Sequence, residues 1–164
     1  MRDQHLLDQF SQDGFLIVRS LLSGEEAKYH CQRLTTLRTS GTYELDHKGV
    51  DTDEEDPILR YPRMTHVQRW DRDSRELLTD PRLNRHLTLL MGQELCLVQG
   101  MVYFKPPGSR GQALHQDQFY LKVRPGIGMA VWIALERADE ENGCLHVVPG
   151  SHKLPILCTE KADT

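Results

Sequence analysis

The chain has 164 residues, with 20 Lys and Arg against 24 Asp and Glu, so its formal charge is −4 with histidines neutral. Hydrophobic residues make up 38%, and with glycine added the share reaches the low edge of the globular range, which argues against a disordered or collagen-like chain and makes one domain, 1–164, the expectation. The balance lacks the basic excess that phosphate neutralisation needs, which argues against nucleic acid, and the longest purely apolar run, Met129 to Leu135, is seven residues, far short of a bilayer crossing.

In chain order, a short helix carries Leu6, Leu7 and Phe10, turns at Asp13-Gly14 and leads into a strand-like Phe15 to Val18. Ser23 with Glu26 three residues on has the capping-box form, and Ala27, Cys31 and Leu34 then fall on one stripe of a second helix. From Glu44 to Asp56 there are seven acids and one base, and from Ile58 to Arg85 seven arginines against four acids. The first reads as a solvated surface loop, the second as ordinary surface pairing. Asp80-Pro81 places a capping residue before a proline at the first helical position, and Leu83, Leu87 and Leu90 supply a stripe that ends at Gly92.

After Gly92 the hydrophobic period falls to two. Glu94 to Phe104 alternates so that Leu95, Leu97, Gln99, Met101 and Tyr103 share one face of a strand, and Ala113 to Leu121, Gly128 to Glu136 and Gly143 to Val148 are further strand candidates. Glu141-Asn142-Gly143 between the last two is a hairpin signal. The expected organisation is a helical lead-in with one early strand over 1–92, core strands over 93–153 and a tail over 154–164. The four cysteines form no C-x-x-C pair and the start Met1-Arg2-Asp3 carries no apolar leader run, so a cytoplasmic protein with reduced thiols is expected.

His115-Gln116-Asp117 carries the most chemistry. On a strand, residues two apart project to the same side, so an imidazole and a carboxylate stand together as two thirds of a two-His-one-carboxylate facial triad for non-heme Fe(II). By itself the pattern is more often a plain hydrogen-bonded pair.

Its surroundings narrow the choice. Gln99 to Gly108, His115-Gln116-Asp117, Val131 to Leu135, Glu141 to Leu145 and Val148 to His152, in this order and spacing, resemble the phytanoyl-CoA dioxygenase family, and Asp13-Gly14-Phe15 is similar to that family's opening. The resemblance implies an α+β, mainly β fold: a double-stranded β-helix (jelly-roll, cupin-like) core with N-terminal helices packed outside. It also implies an Fe(II)- and 2-oxoglutarate-dependent dioxygenase that uses O2 to hydroxylate a small organic substrate. His115 and Asp117 are similar to the first two iron ligands. Trp132 is similar to the aromatic that lines the 2-oxoglutarate pocket, and Gln99 and Tyr103 to positions that reach co-substrate or substrate. From the residues alone Trp132 is equally core and Gln99 equally an edge residue, and the Pro149-Gly150-Ser151-His152 block reads as turn chemistry.

The chain departs from the family pattern in one respect. The family's second metal-binding histidine and the arginine that clamps 2-oxoglutarate lie downstream of the Pro-Gly-Ser-His block, and no residue here is identified with either. About four strand candidates appear where a jelly roll needs roughly eight. The favoured expectation is part of a longer oxygenase lacking its C-terminal portion. A core completed by self-association or a second chain, and a non-catalytic jelly-roll binding module, are the alternatives, with a cupin-type Zn or Mn hydrolase or isomerase as a third. His146 and His152 stay open as unconventional third donors.

Overall fold

The computed structural model describes residues 2–40, 63–107, 109, 111–122 and 128–157. The acidic stretch 44–56 and Cys158 lie outside the described residues, as does the part of the arginine-rich segment before Arg63. The chain divides into two compact units, one comprising 1–17, 110–134 and 138–164, the other 18–109 and 135–137.

The 18–109 unit is mainly helical. Helix α2, Gly24–Thr39, starts where the sequence predicts: Ser23 Oγ accepts from the Glu26 amide at 3.1 Å, and Glu26 Oε2 accepts from the Ser23 amide at 2.7 Å. On its inner stripe Leu34 is buried while Ala27 and Cys31 are half-buried. Strand β1, Arg63–Thr65, a 3-10 turn at Val67–Arg69 and helix α3, Arg72–Leu78, follow. Helix α4, Pro81–Met91, begins with Asp80 accepting from the Arg82 amide at 2.7 Å and ends at Gly92, whose φ of +66° is the left-handed geometry glycine supplies without a Cβ penalty. Leu34, Met64 and Val67 form the core, with Leu37, Leu78, Val102, Phe104 and Leu135 packed against it.

Strand β2, Met101–Tyr103, pairs antiparallel with β1 in the register Arg63↔Tyr103, Met64↔Val102 and Thr65↔Met101. The predicted strand over 94–104 is thus cut to three residues. Its continuation is held by a side chain instead of a strand: Gln68 Oε1 accepts from the Gly100 amide at 2.9 Å and Gln68 Nε2 donates to the Val98 carbonyl at 3.2 Å. A Cβ at Gly100 would meet the Leu78 side chain, which would have to shift to admit it.

In the other unit, helix α1, Arg2–Asp13, closes on Gly14 at φ +80°. Of the expected strands, Ala113 to Leu121 is corrected most: residues 111–116 form no strand, and Asp117–Tyr120 is a helical turn, α5, with Gln116 at its N-cap. Segments 128–134 and 144–148 pair with no strand among the described residues, and neither does 15–18 of the early strand. The Asn-Gly turn itself forms. Asp139 Oδ1 accepts from the Glu141 amide, Asn142 Oδ1 from the Asp139 amide, and Gly143 takes φ +85°. The β architecture shown by the described residues is therefore a two-stranded sheet. No helix among them is long and apolar enough to cross a membrane.

Candidate metal pair

His115 and Asp117 are brought together although they do not share a strand. Gln116 is extended (φ −111°, ψ 119°) and Asp117 opens α5, and the imidazole Nε2 and the carboxylate Oδ1 stand 3.2 Å apart. His115 Nδ1 lies 2.8 Å from the Ala113 carbonyl. A carbonyl can only accept, so Nδ1 carries the proton, and Nε2 of the neutral ring is left with a lone pair 3.2 Å from the Asp117 oxygen. Two lone pairs at that separation repel unless something positive lies between them. A proton makes an ion pair; a divalent cation makes both groups ligands. The Tyr120 ring meets the imidazole edge-on, with centroids 5.9 Å apart. The His115 side chain is 28% exposed and that of Asp117 55%, so the carboxylate side is open.

The remaining site candidates are dispersed over the two units. Trp132 belongs to the same unit as the pair and is half-exposed on the 128–134 segment. Gln99 and Tyr103 belong to the 18–109 unit, where Gln99 is half-buried and the Tyr103 hydroxyl contacts Met101 Sδ at 3.5 Å. Neither histidine left open as a third donor joins the pair. His146 Nε2 is 3.7 Å from Cys144 Sγ, and His152 Nε2 donates to the Ser11 carbonyl at 3.2 Å. Among the described residues no three His, Cys, Asp or Glu groups come together. Among the described residues Cys31, Cys96 and Cys144 are free thiols.

The pair's donors fit Fe(II) as two of the three protein ligands of a facial triad: one imidazole nitrogen, held in the right tautomer by a backbone carbonyl, and one carboxylate. The sequence singles out both members of the pair and carries no signal for the Tyr120 ring beside His115, because that contact depends on a helical turn.

The sequence profile of the phytanoyl-CoA dioxygenase family (PhyH) matches residues 10–163. The chain belongs to that family. It is 27% identical to the peroxisomal phytanoyl-CoA dioxygenase of Bos taurus over 173 residues, covering 90% of this chain and 47% of the relative. It is 30% identical to a methylphosphonate hydroxylase of Gimesia maris over 157 residues, covering 94% and 59%. A phytanoyl-CoA dioxygenase domain-containing protein 1 of Danio rerio is 50% identical over 58 residues, 34% of this chain and 20% of the relative. The family is thus one of oxygenases, and the chain spans about half the length of the curated relatives it matches.

Proposed function

We propose that this chain carries part of the active site of an Fe(II)- and 2-oxoglutarate-dependent dioxygenase that hydroxylates a small organic substrate. The observation that supports this most directly is the His115–Asp117 pair, with two donors on one side and the imidazole tautomer set by Ala113. Bound Fe(II), with 2-oxoglutarate and O2, would supply oxidative decarboxylation to succinate and CO2 coupled to insertion of oxygen into a C–H bond. The chain's own part is positional. Ala113 keeps the proton on Nδ1 and leaves Nε2 free to bind, Asp117 contributes negative charge from an open direction, and Tyr120 restricts the ring's swing. The family resemblance assigns Trp132 to the lining of the 2-oxoglutarate pocket, and Gln99 and Tyr103 to positions that reach co-substrate or substrate.

A third ligand and a carboxylate-clamping arginine are assigned to the half of the relatives' length that this chain does not span, together with the strands that would close a jelly-roll core. The surface supports this reading: Leu145 is 57% exposed, and Val131 and Val148 are also open, on segments that pair with no strand among the described residues. Closure of a sheet removes such faces and edges. A cytoplasmic enzyme free of nucleic acid and membrane, completed by further chain or by a partner, belongs to the same proposal.

Succinate release with Fe(II), ascorbate and 2-oxoglutarate tests it. A protein extended to the relatives' length should form succinate and lose it on His115→Ala or Asp117→Ala, whereas this chain by itself should form none. Undiminished succinate from either variant would reject the ligand assignment. A completed protein that forms none would favour the binding module, with His115 and Asp117 as a proton-bridged pair.

A further inference from the structure

From the clamp of Gln116 on the 155–157 segment, directly between His115 and Asp117, we infer that Gln116 is the positioning residue of the pair. The inference rests on the reading of that pair as metal ligands. The Gln116 amide donates from Nε2 to the Pro155 carbonyl at 3.1 Å and accepts at Oε1 from the Leu157 amide at 2.7 Å. Those are the two backbone groups that flank Ile156, and a parallel strand lying beside it would bond the same two. One side chain thus stands in for one residue of a strand neighbour. Gln68 does the same to the groups flanking Gln99, taking the Val98 carbonyl and the Gly100 amide. In both places a glutamine amide holds an extended segment by two opposed hydrogen bonds.

The consequence for the pair is geometric. In extended backbone a side chain leaves the face opposite to its neighbours', so anchoring Gln116 fixes the peptide groups from which His115 and Asp117 depart. The anchor is itself held at its far end. The Gly150 amide donates to the Asp13 carbonyl at 2.7 Å, Lys153 Nζ to the Gln12 carbonyl at 3.0 Å and His152 Nε2 to the Ser11 carbonyl at 3.2 Å. The Pro149–Lys153 block thereby occupies the last carbonyls of α1, which a helix leaves without internal partners. A continuous set of contacts runs from α1 through residues 150–157 to Gln116.

The test uses the whole chain without metal, then with Co(II). In the natural protein the His115 ring nitrogens, followed by 15N NMR, should show the Nδ1–H tautomer, and the Leu157 amide should exchange slowly with solvent. Gln116→Ala should speed Leu157 exchange and mix the His115 tautomers, and Co(II) affinity should fall about tenfold, the usual cost of losing a group that orients a ligand. Gln116→Glu keeps the acceptor for Leu157 and loses the donor to Pro155, so it should fall between the two. It also supplies the reading if the alanine variant does not fold. Faster Leu157 exchange with an unchanged His115 tautomer would overturn the positioning role. Tautomer mixing in a protein that binds no Co(II) would leave that role standing and remove the metal reading.

Discussion

At the scale of single residues, the side chains that tie α2 to α3 illustrate how charge is used structurally. Arg33 grips Asp71 through both guanidinium nitrogens, at 2.9 and 2.8 Å, while the Ser74 amide donates to the same carboxylate at 2.7 Å. Burial alone would raise the Asp71 carboxyl, but the hydrogen bonds from Arg33 and Ser74 reverse this and hold it below the ordinary carboxylate value. A carboxyl depressed by folding stabilises the native state above its unfolded pKa, and the contribution disappears as pH falls through the folded value. Asp71→Asn should therefore cost on the order of 1 kcal/mol at neutral pH. In urea titrations the gap to the natural chain should close as pH is taken below about 4; a gap independent of pH would show that the charge contributes nothing. The Arg33–Asp71 pair was not legible in the sequence beyond an expectation of surface pairing, because its partners lie 38 residues apart and meet only once two helices pack. The capping residues Ser23 and Asp80 were legible, since a cap needs only its own first turn.

At the scale of elements, helices and strands differ in how far the sequence predicts them. The stripe and caps of α2 and α4 form as expected because a helix bonds to itself. A period-two run reports only which side chains share a face, and whether it becomes a strand depends on a neighbour. Gln68 supplies that neighbour's groups for 98–100, and among the described residues no strand supplies them for 128–134 or 144–148. The Asp13-Gly14 turn shows the opposite dependence. Gly14 sits at φ +80°, and a Cβ there would collide with the His152 ring, so two blocks 138 residues apart in sequence are required by one contact. Gly14→Ala should cost more than about 1 kcal/mol, combining an unfavourable φ with displacement of His152 from the Ser11 carbonyl. Amide exchange of Gly150 should rise in step with the fall in thermal midpoint. Unchanged protection at Gly150 would contradict the docking of this block on α1.

At the scale of the whole molecule, family membership was legible because five motif blocks recur in order over residues 95–153, and the candidate pair His115 and Asp117 lies in one of them. Their geometry was not, since the strand assumed for them is an extended segment broken by a helical turn. The pair still forms, because a turn can bring residues i and i+2 together as a strand does, and Ala113 selects the tautomer that leaves Nε2 available. Co(II) titration of the 164-residue chain, followed by calorimetry against His115→Ala and Asp117→Ala, measures this most directly. One weakly held ion per chain, with affinity lowered at least about tenfold by either substitution, is the predicted result. Titrations that superimpose for all three proteins would contradict a metal-binding role for the pair.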